Sequence, residues 1–172
     1  MIQQSGTKCV VPEVKPAGLR LNWGKFPTDP NVASPPRVLV TEDDPRLRDL
    51  MVQTMAFEGF FVTEASDAFA MLNAVKACHE ACDDTFDLIV TDVRMPGLSG
   101  LDALARLRES GCQTPAIVVS ALPRDMIQDQ VQRLNALFIA KPFALDSLRK
   151  AANQAIYGQQ NRTSGHTRIC RP

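Results

Sequence analysis

The amino-acid sequence predicts an α/β domain, in which five parallel strands alternate with five helices that cover both faces of the sheet. Short apolar runs rich in β-branched residues, each closed by turn residues, indicate the buried strands. Amphipathic stretches of helical periodicity separate these runs, and such a strict alternation is typical of a parallel sheet. The length of 172 residues and the hydrophobic content of 45% suit one such domain with tails.

The first strand is predicted at Val38-Leu39-Val40, which ends on the acidic run Glu42-Asp43-Asp44. Pro45 is favoured at the first position of a helix, with Asp44 as its cap, and Gly59 ends that helix. The predicted apolar stripe of this first helix consists of Leu47, Leu50, Met51, Met55 and Phe57.

The second strand begins at Phe60-Phe61-Val62, and either Ser66 or Asp67 caps a second helix that runs to about Ala81. The third strand lies within DLIVTDVRMPGLSGL, residues 87–101, and places Asp92 at its carboxyl end. Pro96 and Gly97 predict a loop after this strand. The third helix begins at its cap Ser99 and ends at Gly111.

The last strands and helices follow the same alternation. The fourth strand is predicted from Pro115 to Val119, with Ser120 at its end, and the fourth helix from Pro123 to about Leu134. The fifth strand runs from Ala136 to Ala140 and ends on Lys141-Pro142. The fifth helix runs from Ala144 to about Tyr157, where Gly158 stops it.

The domain is predicted over residues 37–158, with a tail on each side. Residues 1–36 contain six prolines and three glycines, so they are expected to be disordered or loosely ordered. The apolar segment Leu19–Phe26 within them would suit a partner-binding motif or a contact with the domain, but an incidental cluster is favoured. Residues 159–172 carry three arginines and no acid, which predicts a disordered basic tail.

Charge and composition narrow the function classes. Residues 37–158 carry 12 basic and 17 acidic side chains, which argues against direct binding of nucleic acid. No apolar run approaches the roughly 20 residues of a membrane helix, and no signal peptide is evident. Five irregularly spaced cysteines indicate a reducing cytoplasm rather than disulfides. Cys78, His79 and Cys82 make only a weak metal site, and partly buried thiols are favoured.

Polar residues lie at the carboxyl ends of four of the five predicted strands. They are Glu42, Asp43 and Asp44 after the first strand, Asp92 in the third, Ser120 in the fourth and Lys141 after the fifth. The carboxyl ends of parallel strands share one edge of the sheet, so these side chains are expected to converge there. Taken singly each has an ordinary explanation as a cap, a turn residue or a surface charge, but four matched strand ends make those explanations improbable.

The converging residue types suit phosphoryl transfer. Crowded carboxylates repel one another, and a hard divalent cation such as Mg²⁺ relieves this with oxygen ligands. Lys141 supplies a compact positive charge, and Ser120 supplies a hydroxyl that can donate to a phosphoryl oxygen. Aspartate is a known covalent phosphate acceptor. The sequence therefore predicts that Asp92 takes a phosphoryl group.

Four motifs then carry a family resemblance. They are VLVTEDDP (38–45), DLIVTDVRMPGLSG (87–100), VVSA (118–121) and FIAKPF (138–143). In this order and spacing they resemble the receiver domain of two-component response regulators. The resemblance implies a flavodoxin-like doubly wound sheet with strand order 2-1-3-4-5. It also implies a phosphoacceptor rather than a turnover enzyme, which receives its phosphoryl group from a histidine kinase or histidine phosphotransfer protein.

The resemblance implies a role for each site residue. Asp92 is the phosphoacceptor, Lys141 pairs with the phosphoryl group, Ser120 follows it, and Phe138 is the aromatic switch that turns inward. The implied Mg²⁺ ligands are Glu42, Asp43, Asp92 and the backbone carbonyl of Arg94. A cis bond between Lys141 and Pro142 is implied as well. Glu42 in place of aspartate, Ser120 in place of threonine, and Phe138 in place of tyrosine are departures that remove no essential group.

The favoured interpretation is a stand-alone receiver that signals to a downstream protein effector through the fourth helix, fifth strand and fifth helix. Three alternatives stay open beside it. One is a pseudo-receiver, an interaction module that is never phosphorylated, although such modules usually lack part of this residue set. Another is a receiver fragment of a hybrid kinase or transcription factor. The third, a metal-dependent phosphohydrolase, is disfavoured because Arg94 lies where that chemistry wants a second carboxylate.

Overall fold

Five short strands and five helices alternate along the chain in this computed structural model, which describes residues 35–82 and 86–158. The strands are β1 (Arg37–Thr41), β2 (Phe61–Ala65), β3 (Leu88–Asp92), β4 (Ala116–Ser120) and β5 (Ala136–Ala140). The helices are α1 (Pro45–Phe57), α2 (Ala68–Cys82), α3 (Gly100–Glu109), α4 (Arg124–Arg133) and α5 (Leu145–Tyr157). The alternation predicted from the sequence is confirmed.

Neighbouring strands of the sheet are parallel and follow the order β2-β1-β3-β4-β5, as predicted. β3 lies at the centre between β1 and β4, and each of its residues is buried. The register places Thr41 beside Thr91 and Asp92 beside Val119, so these three strands end close to one another. Their carboxyl ends form the edge at which open parallel sheets hold their ligands.

Two hydrophobic cores lie on opposite faces of the sheet, because successive strand residues point to opposite sides. The first core combines Val38, Val40, Leu88, Val90, Ile117 and Val119 with Met51, Met55, Leu148 and Ala152 of α1 and α5. The second core combines Leu39, Ile89 and Val118 with Met71, Leu104 and Val131 of α2, α3 and α4. The strands β1, β3 and β4 are thus packed against helices on both faces of the sheet, which supports the edge at which they end.

Polar caps start three of the helices where the sequence predicts them. Asp44 accepts from the Arg46 N–H at 2.9 Å, Asp67 from the Ala70 N–H at 2.8 Å, and Ser99 from the Asp102 N–H at 3.1 Å. Of the two candidates for α2, the structure assigns the cap to Asp67 rather than to Ser66. Gly97 and Gly111 have positive φ angles, as the loop before α3 and the end of α3 require.

The apolar stripe predicted for α1 was too wide. Met51 and Met55 are fully buried, but Leu50 is 48% exposed and Phe57 is 92% exposed. With 3.6 residues per turn, Phe57 lies about 200° around the helix from Met55, so only one of the two faces the sheet. The presence of an apolar residue in a helix does not by itself show that its side chain points toward the core.

Some predictions fall outside the described residues. They concern residues 1–34, residues 159–172 and the side chains of His79 and Cys82 in the weak metal candidate. Cys78 is half-buried against the second core. The domain boundaries at residues 37 and 158 stay predictions. Among the helices described, none is long and apolar enough to cross a membrane.

Candidate functional site

Three carboxylates meet at the carboxyl edge of the sheet. Single oxygen atoms of Glu42, Asp43 and Asp92 lie within 4.8 Å of one another. Glu42 and Asp92 are only 1% and 4% exposed, whereas Asp43 is exposed. The two buried carboxylates therefore form the floor of the cluster, and Asp43 forms its solvent side. The convergence expected from the strand ends is present for these three residues.

Lys141 joins the cluster from the far end of the chain. Its Nζ donates to Glu42 Oε2 at 2.7 Å and lies 2.9 Å from Asp92 Oδ1. The backbone fixes the start of this side chain, since the Lys141 N–H donates to the Ser120 carbonyl at 2.7 Å. The peptide bond between Lys141 and Pro142 is cis, as the resemblance implies.

Burial and pairing act on the charges of this cluster. Burial raises the pKa of Glu42, and the hydrogen bond from Lys141 offsets only part of that effect. Burial alone would lower the pKa of Lys141, but its hydrogen bonds to Glu42 and Asp92 outweigh this and hold the pKa above its ordinary value. Lys141 is therefore charged at neutral pH.

The donor set fits a hard divalent cation. Carboxylate oxygens are the ligands that Mg²⁺ prefers, and Mg²⁺ commonly uses one or two carboxylates together with water and a phosphate oxygen. With all three carboxylates ionised, one ammonium leaves two negative charges for the cation to balance. An exposed member such as Asp43 also leaves an open side for a phosphate-bearing ligand.

The loop after β3 orients the Asp92 side chain. Asp92 Oδ2 accepts from the Arg94 N–H at 2.9 Å, so one carboxylate oxygen faces the loop and the other faces Lys141. This contact places the Arg94 backbone beside the cluster. A role for its carbonyl as a metal ligand stays a prediction.

Gly100 is a site residue that the sequence analysis included only as a member of the motif at residues 87–100. A Cβ atom at this position would collide with the Asp92 carbonyl oxygen and would lie 2.5 Å from Thr91 Oγ1. Its N–H donates to the Val93 carbonyl at 3.1 Å, which holds the start of α3 against β3. Glycine favours a helix less than most residues do, so its presence at the first position of a helix was the one sequence signal that pointed to a close contact here.

Ser120 and Phe138, the two predicted switch residues, lie on the neighbouring strands β4 and β5. Ser120 is fully buried, and its Oγ accepts from the Leu122 N–H at 2.9 Å. Phe138 is half-buried, with the Arg124 guanidinium carbon 5.8 Å from its ring centre. Within the two described ranges, no hydrogen bond links Ser120 Oγ to the carboxylates. Their roles as switch residues stay predictions.

Arg48 is the second residue, after Gly100, whose contacts at the site the sequence did not reveal. Its Nη1 donates to the backbone carbonyl of Glu42 at 2.8 Å, and its Nε lies 3.2 Å from Glu64 Oε2. Helical periodicity places Arg48 on α1 but gives no hint that its side chain reaches back to the turn before the helix.

Comparison with known proteins gives one consistent result. The family model of the response regulator receiver domain matches residues 38–153 of this chain. Among solved structures, the chain is similar to the receiver domain of the Francisella response regulator 1452, at a TM-score of 0.65 and 27% identity, covering 72% of this chain and 98% of that one. A CheY-like receiver domain protein from Methanospirillum hungatei shares the fold at a TM-score of 0.67 and 21% identity, covering 76% and 100% of the two chains.

Curated relatives point to the same family. The response regulator protein PmrA of Pseudomonas aeruginosa is 37% identical over 116 residues, which cover 66% of this chain and 49% of that protein. Response regulator MprA of Mycolicibacterium vanbaalenii is 34% identical over 117 residues, which cover 66% and 47%. The chain thus spans about half the length of the curated relatives it matches.

Proposed function

The chain belongs to the response regulator receiver domain family, and on that basis we propose that it is a phosphorylation-controlled switch whose acceptor is Asp92. The phosphoryl donor is a histidine kinase or a histidine phosphotransfer protein, and the signal leaves through protein–protein contacts in a phosphorelay. The observation that carries the proposal is the meeting of Glu42, Asp43 and Asp92 within 4.8 Å, with Lys141 bonded to two of them.

The transfer step uses a carboxylate oxygen of Asp92 as nucleophile. This oxygen attacks the phosphorus atom of a phosphohistidine, a P–O bond forms as the P–N bond breaks, and the leaving imidazole takes up a proton. Glu42, Asp43, Asp92 and the carbonyl of Arg94 would hold Mg²⁺, which neutralises charge on the carboxylates and the transferring oxygens when bound. The Arg94 N–H keeps the acceptor carboxylate oriented.

Lys141 changes partner during the reaction. Its ammonium now contacts both Glu42 and Asp92. After transfer, the Asp92 side chain carries an acyl phosphate whose anionic oxygens can each accept a charge-assisted hydrogen bond from Lys141 in place of the lost carboxylate. Lys141 thereby stabilises the phosphorylated state.

Ser120 connects the phosphoryl group with α4. Its hydroxyl accepts from the Leu122 N–H in the structure and turns to donate to a phosphoryl oxygen, which loosens the loop before α4. Phe138 then turns inward from its place beside Arg124. We propose that the surface of α4, β5 and α5 reports these movements to a downstream protein effector.

The protein acts as a phosphoacceptor with self-catalysed transfer and slow self-dephosphorylation, not as a turnover enzyme. It works in the cytoplasm and contacts neither nucleic acid nor membrane directly. These roles are proposed for the receiver domain alone, because the matched part is about half of the curated relatives.

The test is the intact mass of the full chain after incubation with a small phosphodonor, with and without Mg²⁺. A single phosphoryl adduct that requires Mg²⁺ and is absent from Asp92→Asn is expected. Asp129→Asn, which changes an exposed aspartate on α4, serves as the matched control and should keep the adduct.

Two results would contradict the proposal. A folded wild-type protein that gains no adduct, while a control receiver does, favours the pseudo-receiver instead. An adduct that persists in Asp92→Asn moves the acceptor to another residue, which peptide mapping then identifies.

A further inference from the structure

The turn between β1 and α1 carries two of the three clustered carboxylates, and its backbone is held from both sides. The Glu42 N–H donates to the Ala65 carbonyl of β2 at 3.2 Å. On the other side, Arg48 Nη1 donates to the Glu42 carbonyl at 2.8 Å. Glu42 is thus fixed at both backbone polar groups, while Lys141 holds its carboxylate.

Arg48 is itself well placed for this contact. Its side chain is only 18% exposed, and Glu64 at the end of β2 pairs with the Nε end of the guanidinium. The guanidinium is a planar group with donors in a fixed fork, so the two contacts orient it more firmly than an ammonium would be oriented. The short distance to the carbonyl is typical of a charge-assisted hydrogen bond.

We propose that Arg48 is a positioning residue for the divalent-cation site, which it serves by fixing the Glu42–Asp44 turn. The inference rests on the proposed function, since that function supplies the cation site. Clustered carboxylates repel one another and tend to separate. A turn held at its backbone keeps Glu42 and Asp43 close to Asp92 without the cation, so the cation does not have to bring them together.

Outer partners of metal ligands have a known range of effect, because loss of such a group typically weakens metal binding about 10- to 100-fold. Whether Mg²⁺ binding becomes weaker or tighter on removal of Arg48 distinguishes a positioning role from simple charge repulsion. Removing a positive charge near a cation site strengthens cation binding by Coulomb's law. If Arg48 positions the ligands, its removal has the opposite result, and binding becomes weaker.

The test measures Mg²⁺ affinity of the full chain by titration calorimetry. Arg48→Met removes the donors while it keeps an apolar stem, and we expect its Kd for Mg²⁺ to rise about tenfold. Arg46→Met is the matched control: it removes the same charge from an exposed residue that lies about 200° around α1. This control is expected to bind Mg²⁺ as tightly as wild type or more tightly.

The second readout is the rate of phosphorylation against Mg²⁺ concentration. For Arg48→Met, we expect the half-saturating Mg²⁺ concentration to rise by the same factor, while the rate at saturating Mg²⁺ returns close to the wild-type value. A merely structural defect would lower the rate at every concentration. If Arg48→Met does not fold, as judged by circular dichroism, Arg48→Lys takes its place and is expected to show a smaller loss of affinity.

The outcomes separate this inference from the proposed function. Suppose that the wild type binds Mg²⁺ and is phosphorylated, but Arg48→Met binds Mg²⁺ as tightly as the wild type or more tightly. That result overturns the positioning role of Arg48 and leaves the proposed function standing. The same holds if Arg46→Met weakens binding equally. A wild type that neither binds Mg²⁺ nor gains a phosphoryl group overturns the proposed function, and the role of Arg48 with it.

Discussion

Gly100 leaves no room for a side chain between α3 and the strand that carries Asp92. A Cβ atom would meet the Asp92 carbonyl oxygen, so Gly100→Ala must push the helix and the strand apart. Overpacking of this kind typically costs about 1–3 kcal/mol of folding free energy. The displaced strand end also moves the carboxylate of Asp92, the proposed acceptor, so we expect slower phosphorylation as well as lower stability.

Gly111→Ala is the control for this prediction. Gly111 has a φ of 90° and lies at the far end of α3, where added strain lowers stability without touching the site. Urea unfolding and the rate of adduct formation are measured for both variants. Equal phosphorylation rates in Gly100→Ala and wild type would show that the contact is unimportant for the site.

At the scale of one element, α2 owes its start to a charged cap. Asp67 accepts the Ala70 N–H at 2.8 Å, and this hydrogen bond holds the pKa of Asp67 below its ordinary value. We expect Asp67→Ala to lower the free energy of unfolding by about 1 kcal/mol at neutral pH. Since the pKa is depressed in the folded state, this stabilisation is complete above about pH 3.8 and is lost as the pH falls through the folded-state pKa.

Urea unfolding of wild type and Asp67→Ala at a series of pH values checks the prediction. The two stability curves should run parallel at higher pH and approach each other in acid. A difference that stays constant below the folded-state pKa would mean that the charge of the cap contributes nothing.

Side-chain hydrogen bonds flank α4, one in the loop before it and one at its end. Ser120 Oγ holds the Leu122 N–H before the helix, and Arg108 of α3 donates to the Leu134 carbonyl at its end at 3.0 Å. Under the proposed function only the first of these hydrogen bonds breaks on phosphorylation. We therefore expect faster hydrogen exchange at the Leu122 amide in the phosphorylated protein, with little change at the end of α4.

Ser120→Ala provides the comparison for this exchange experiment. The variant lacks the hydroxyl in every state, so its Leu122 amide should exchange quickly before phosphorylation and should not change after it. Loss of one hydrogen bond of this kind typically costs about 1 kcal/mol. Slow exchange at Leu122 in the phosphorylated wild type would argue against a release of the loop before α4.

At the scale of the whole molecule, bound Mg²⁺ is expected to stabilise the fold, because the three carboxylates meet only when the sheet is formed. A ligand present at 100 times its Kd adds about 2.7 kcal/mol to the free energy of unfolding. Thermal unfolding with and without Mg²⁺ measures this as a rise in Tm. Asp43→Asn, which changes the exposed member of the proposed ligand set, should show a smaller rise, and an equal rise in both proteins would place the cation elsewhere.

The sequence predicted the architecture well because its signals are local and repeated. Short apolar runs, caps such as Asp44 and Ser99, and polar strand ends each act over a few residues, and their order determined the sheet. The convergence of Glu42, Asp92 and Lys141 followed from that order. Predictions that needed only the alternation of elements were confirmed.

Other features depend on side-chain direction and close approach, which local patterns do not encode. Phe57 is a large apolar residue of the kind found in protein cores, but it faces away from the sheet. Arg48 reaches backward to a carbonyl, and Gly100 matters through the atom it lacks. Each of these is determined by three-dimensional contacts between elements that the chain brings together only on folding.

The contact between Lys141 and Glu42 joins residues 99 positions apart. The first strand and the loop after the last strand must both be in place before this ion pair exists. A chain still emerging from the ribosome, or one cut before Lys141, therefore carries Asp92 but lacks part of its reaction partners. Under the proposed function, the protein therefore becomes able to accept a phosphoryl group only after the fifth strand and the loop that follows it have folded.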